Sequence, residues 1–302
     1  MYYNSLNEKL RAQFGCKVYK LSLSSGLTCP NRDGKIGTRG CIFCSDLGSG
    51  DFAEPFCDNI TNQIESAKRQ VAKKIKNGKY IAYFQSFTNT YGKVSYLEKI
   101  FLEAINHPDI AVLSVATRPD CLGKDVILLL ERLAKIKPVW VELGLQTVNE
   151  ASVKYIRRGF SNEVYTTAVK ELHKIGIEVI THIILGLPHE TPEDMLNSVK
   201  FAAASKTDGI KLQLLHVLKN TDLAEDYNKG YFKTLELEEY MNIICDCIEI
   251  LPPDITIHRL TGDGDKNKLI APLWSGNKKT VLNKINKALS DRNITQGRRK
   301  LP

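Results

Sequence analysis

Apolar residues recur along this chain in short runs rich in Val, Ile and Tyr, at 18–24, 80–85, 111–117, 139–143, 178–185 and 209–216. Between most of them lie stretches in which apolar positions return every three or four residues, as at 125–137, 163–174 and 193–205. The first pattern predicts strands and the second amphipathic helices. From the second run onward the strand starts are 31, 28, 39 and 31 residues apart. A strand, a helix and the crossover between them need about 30 residues, so the rhythm predicts parallel βαβ units. A complete eight-unit barrel takes about 250 residues, whereas these six strands span 18–216, so the α/β expectation is an incomplete barrel, a partial (β/α)6 TIM-like one, or an open parallel sheet.

One interval breaks the rhythm, because 62 residues separate the first strand start from the second. The insertion is rich in Gly and Pro and follows the C-terminal end of the first strand, the end at which α/β folds bind ligands. It carries Cys29, Cys41 and Cys44 in a Cys-x11-Cys-x2-Cys array. A Cys-x-x-Cys turn directs two thiolates at one metal or at neighbouring irons of one cluster. Zinc would need a fourth ligand, which Cys57 offers thirteen positions on. A 4Fe-4S cluster held by three thiolates leaves one iron open instead, and the position at a strand's ligand-binding end favours it.

Composition narrows the setting. The chain of 302 residues is 43% hydrophobic and 25% charged, ordinary for a globular protein and incompatible with a disordered or collagen-like one. No apolar run approaches the ~18 residues of a membrane span and the start carries no apolar signal core, so a soluble, cytoplasmic protein is expected. In that compartment eight cysteines argue for ligands or buried thiols, not disulfides. The net charge of +8 sits almost wholly in 277–302, where five Lys and three Arg face one Asp. The expected organisation is therefore a core of 1–276 with a cysteine-bearing loop at 25–57, followed by a basic C-terminal helix and frayed tail at 277–302. Such a segment attracts phosphates but offers no aromatic residues for base stacking.

The array, with Phe43 before its last cysteine, resembles the radical S-adenosylmethionine superfamily, and its long first spacing resembles the YhcC/YtqA (MnmL-like) branch and the related Elongator catalytic subunit. The resemblance runs from about Tyr19 to Trp274. It is carried by 85–91 (QSFTNTY), 117–120 (TRPD), 141–147 (VELGLQT), 157–159 (RRG), 186–190 (GLPHE) and 259–263 (RLTGD). It implies that Cys29, Cys41 and Cys44 hold a 4Fe-4S cluster whose open iron chelates S-adenosylmethionine. An electron donor such as flavodoxin or ferredoxin then drives reductive cleavage to methionine and a 5′-deoxyadenosyl radical. It also implies tRNA as substrate, modified at position 5 of the wobble uridine in the 5-carboxymethylaminomethyl to 5-aminomethyl pathway. A small metabolite, a protein side chain, or a zinc-stabilised module that binds nucleic acid without catalysis are the competing readings.

Cofactor contacts are expected on the same stretches. Gln85, Thr88 and Asn89 would face the methionyl part, with Thr117 and Arg118 beside them. Glu142, which alternation turns away from Val141 and Leu143 into the barrel, or Gln146 would bond the ribose, unless Glu142 is only a salt-bridge partner of Arg118. Gly186, Pro188 and Glu190 would shape the adenine turn, His189 being either a contact there or a solvated loop residue. Just beyond, Thr191, Pro192 and Asp194 form a helix start with a structural purpose. His216 faces either the core or the substrate opening. Cys245 and Cys247 diverge on one helix, Cys16 and Cys121 read as small buried residues, and His107 and His173 as surface ones.

Overall fold

Alternation of inward and outward side chains organises the whole chain. In the computed structural model, which describes residues 2–48, 50–75, 78–262 and 264–299, seven strands pair in parallel. Six follow the expected runs: β1 (Val18–Leu23), β2 (Lys79–Phe84), β3 (Ile110–Thr117), β4 (Val139–Gln146), β5 (Glu178–Leu185) and β6 (Gly209–Leu214). A two-residue β7 (Val217–Leu218) leaves the sheet, β8 (Thr256–Arg259) adds beside β6 as a seventh parallel strand, and β9 (Leu269–Ala271) pairs antiparallel with β7. The sheet order is β1-β2-β3-β4-β5-β6-β8, so nearly every strand lies beside its predecessor, as βαβ units require. Lys211 on β6 reaches the Tyr83 hydroxyl on β2, 3.3 Å away, which a sheet can manage only by curling into an open half-barrel.

The helices are α1 (Leu6–Phe14), α2 (Ile60–Val71), α3 (Val94–Asn106), α4 (Lys124–Ala134), α5 (Glu150–Tyr155), α6 (Asn162–Lys174), α7 (Pro192–Ala204), α8 (Asp222–Asn228), α9 (Leu237–Ile250) and α10 (Lys278–Asp291). Outward residues such as Leu21, Phe84, Leu113, Val141, Ile183 and Leu212 are fully buried under the helical layer. Inward residues Val18, Ile81, Val112, Trp140 and Ile180 form an apolar floor, closed from below by Leu10 of α1. α7 begins with the expected capping box, Thr191 and Asp194 each satisfying the other's backbone N–H after Pro192.

α10 is a structural helix as well as a basic one. Val281, Ile285 and Leu289 are buried in the main core, while Lys278, Lys279, Lys284 and Lys287 are exposed. The segment after it is anchored where fraying was expected. Gln296 donates to the carbonyls of Pro252 and Ile255 at 2.6 and 2.8 Å, its own amide bonds Tyr2 O, and Arg299 pairs with Glu249 and Asp246. Residues 300–302 of the tail, like Asp263, lie outside the described residues. No helix among the described residues is long and apolar enough to cross a membrane.

Candidate functional site

The loop between β1 and α2 folds over the C-terminal rim of the sheet. Cys44 N donates to Cys41 O at 3.0 Å, closing the Cys-x-x-Cys turn, and Arg32 N donates to Cys29 O at 2.8 Å. Gly40, at φ +73°, must be glycine, because a Cβ there would stand 2.9 Å from the Arg32 side chain, which itself donates to the carbonyls of Cys44 and Ser45. Ile42 and Phe43 pin the loop down in a satellite core with Ile156, Ile184, Leu215 and Phe232. Asn31 ties it sideways, donating to Arg157 O at 2.7 Å and to Cys41 Sγ at 3.4 Å. The Cys41 thiol is pulled down to about 7 by its hydrogen bond with Cys44, helped by Asn31 and by the guanidinium groups of Arg118 and Arg32. A thiol so placed is ready to ligate as thiolate.

Cys29, Cys41 and Cys44 all open onto one cavity of about 230 Å³ at the mouth of the half-barrel. Four thiolates on a single tetrahedral zinc stand about 3.8 Å apart. Among the described residues the three sulfurs do not all lie within 4.8 Å of one another. Cys57 does not line the cavity; it sits at the start of α2 with its thiol donating to Asn59 O at 3.1 Å. Three thiols that open on one cavity without all three converging on one point fit a polynuclear cluster.

Of the expected cofactor contacts, Gln85, Thr88, Thr117, Arg118, Glu142 and Gln146 line this cavity. Gln146 ends β4 in a left-handed backbone conformation, φ +67°, next to a register shift, and its buried Oε1 has no partner. An orphaned acceptor on a residue that lines the same cavity fits a hydroxylated ligand such as a ribose. The remaining four do not line it. Asn89 spends its side chain on structure, bonding Ser25 Oγ and the carbonyls of Phe84 and Ala116. Gly186 serves packing, since a Cβ there would meet Leu235 at 2.9 Å, and Pro188 is buried in the turn that follows. Glu190 accepts from Thr147 at 2.5 Å, and burial pushes its carboxyl up. His189 is an exposed loop residue, and His216 lines the cavity.

Glu142 is not paired with Arg118, whose guanidinium bonds Asp120 through two nitrogens. Its carboxylate is 1% exposed and four side chains converge on it. Oε1 accepts from Lys20 at 2.6 Å and Ser114 at 2.8 Å; Oε2 meets Lys211 and, at 2.7 Å, His182 Nε2. Burial would raise this carboxyl, but the two ammonium groups and the histidine bond outweigh burial and hold it well below the usual range. Burial and Lys211 lower His182 to about 4, so it is neutral near pH 7 and the Nε2 tautomer donates to Glu142. Burial also pushes Tyr83 well up and Lys211 well down. With both oxygens engaged, Glu142 braces the barrel interior where it lines the cavity, whereas Gln146 Oε1 has no partner.

Sequence reasoning missed this polar layer. Its signal was present: Lys20, Glu142, His182 and Lys211 each sit at an inward position of an otherwise apolar strand. Arg158, in the 157–159 stretch, is structural; it donates to the carbonyls of Leu145, Thr147 and Phe160, and burial brings it down to about 10. Cys245 and Cys247 are buried apart on α9, while Cys16 and Cys121 are half-buried. His107, expected at the surface, is buried with its ring bonded to Glu65.

The chain matches the Radical SAM superfamily over residues 33–202 and the Radical_SAM C-terminal domain over 207–291. It is 45% identical to protein YtqA of Bacillus subtilis (strain 168), the match covering 98% of this chain and 92% of that one. It is 28% identical, over 53% of its length, to the tRNA uridine(34) acetyltransferase of Methanocaldococcus jannaschii, of which it spans 30%. The fold is similar to that of the archaeal Methanocaldococcus infernus Elp3, with a TM-score of 0.70 at 18% identity, covering 92% of this chain and 64% of that one.

Proposed function

The chain belongs to the radical S-adenosylmethionine superfamily, in the YhcC/YtqA branch related to Elp3, and from that premise we propose that it modifies the side chain at position 5 of the tRNA wobble uridine. As in the family, its cofactors are a 4Fe-4S cluster and S-adenosylmethionine. The three thiols of Cys29, Cys41 and Cys44 would hold the cluster, with Asn31 and Arg32 setting the loop and the thiolate charge. When bound, these groups supply one-electron cleavage of a carbon–sulfur bond and hence hydrogen abstraction.

The protein's own contribution is placement. Gln146 Oε1 offers an acceptor to the ribose, and Gln85, Thr88 and Thr117 offer polar groups to the methionyl end. Phe43 and Phe87 line the cavity and would limit the entry of water around the bound cofactor. The exposed lysines of α10 would position the RNA electrostatically without reading its sequence.

The observation that supports tRNA is the shared half-chain with the tRNA uridine(34) acetyltransferases, proteins that act on the same nucleotide. The reaction assigned is a step from the 5-carboxymethylaminomethyl to the 5-aminomethyl side chain, with a flavodoxin or ferredoxin as electron donor. Nucleoside analysis of tRNA from a deletion strain tests it. Loss of the 5-aminomethyl product with accumulation of its carboxymethyl precursor is expected, and unchanged wobble nucleosides would overturn it.

A further inference from the structure

The cavity has two chemically different ends. Its thiol end belongs to the cluster and cofactor. At the other end stand Lys211 and Gln213, two apart on β6 and so on one face, with Arg259 of β8 beside them. No cofactor contact proposed above uses these residues. Lys20 and Lys211 share the single carboxylate of Glu142.

An ammonium has three N–H donors. Among the described residues Lys211 directs two of them to Glu142 and the Tyr83 hydroxyl. Its Nζ also lies 4.6 Å from the centre of the Tyr83 ring, and it lines the cavity on the same wall as the guanidinium of Arg259 and the amide of Gln213. A planar anion suits the arrangement, since an amide and a guanidinium present donors in fixed planes and the lysine closes the remaining side.

We propose that Lys211, Gln213 and Arg259 form a subsite for a carboxylate carried on the reacting end of the substrate. This deepens the proposed function by naming what the far end of the cavity reads, and it places the carboxylate across the cavity from the thiols, with the atoms to be attacked between them.

The test has two arms. Crystals of the cluster-loaded enzyme are soaked in sodium bromide, a monovalent anion located by its anomalous signal. Bromide within hydrogen-bond reach of Lys211 Nζ in the wild type, and its loss in Lys211→Met, are expected; absence of bromide there in the wild type overturns the subsite. Separately, cluster-loaded enzyme is assayed on tRNA bearing the carboxymethylaminomethyl side chain and on the same tRNA with that carboxylate converted to a methylamide. Wild type is expected to favour the acid by roughly 10–100-fold in kcat/KM, and Lys211→Met at matched iron loading to lose that preference. Equal turnover of acid and amide by the wild type overturns the subsite and leaves the wobble-uridine reading standing. Bound bromide with neither tRNA altered has the opposite meaning: the uridine reading falls and the anion subsite stands. Should Lys211→Met fold poorly for want of a partner for Glu142, Lys211→Gln keeps an N–H donor beside Glu142 without the ammonium and serves in both arms.

Discussion

Lys20 on β1 and Lys211 on β6 meet at one carboxylate, that of Glu142 on β4, although five positions of the seven-strand sheet order separate their strands. This shared contact ties the two halves of an open barrel together across its interior, at the wall of the cavity. It also explains why an acidic residue is tolerated in a strand whose other inward neighbour below is Trp140.

Glu142→Gln should therefore be strongly destabilising, by about 3–5 kcal/mol, because it strands buried cations. The loss should depend on pH. The folded carboxyl lies below its ordinary value of 4.5, so its contribution is complete above that pH and disappears as pH falls through the folded value. Urea unfolding of both proteins between pH 7 and pH 3 checks this. The gap should be widest at neutral pH and narrow on acidification; a gap that widens in acid contradicts the assignment.

Cysteine replacements should separate ligands from bystanders. Cys41→Ser is expected to abolish iron binding after anaerobic reconstitution, and Cys57→Ser to leave the iron content at the wild-type level. Equal losses in the two variants would contradict the three-thiol site.

Gln146→Leu removes the orphaned acceptor at the end of β4. Binding of S-adenosylmethionine by the reconstituted protein should weaken roughly tenfold, the worth of one hydrogen bond to a buried partner, with iron content as the loading control. Equilibrium dialysis reads the difference, and undiminished binding would remove Gln146 from the cofactor contacts.

Deleting 277–302 is a poor test of RNA binding, because it exposes the core that Val281, Ile285 and Leu289 cover. Lys279→Glu with Lys284→Glu alters only exposed positions of α10. Thermal stability should stay within about 0.5 kcal/mol of wild type. Binding of tRNA should weaken, and the slope of log affinity against log salt should fall by about one for each phosphate that the variant no longer neutralises. Unchanged affinity and slope would move the RNA surface elsewhere.

Much of this was legible in the chain. Strand alternation and the ~30-residue rhythm reveal β1 to β6, and glycines with a Cys-x-x-Cys turn reveal the loop over them. The seventh strand was hidden because four residues, Thr256–Arg259, following Pro252 and Pro253, carry too little pattern to stand out. The partners of Glu142 were hidden for a different reason. Periodicity says that Glu142 points inward, but only the curl of the sheet says that Lys20, more than a hundred residues away, reaches it. Asn89 carries the right groups in the right stretch, yet local hydrogen bonds had already claimed its side chain, and Glu190 stands off the cavity.

Iron and product analysis of one anaerobic preparation decides between a cluster and a zinc site. A brown protein with about four irons per chain that releases 5′-deoxyadenosine from S-adenosylmethionine under strong reductant is expected. A colourless, zinc-containing protein that leaves S-adenosylmethionine intact would contradict it.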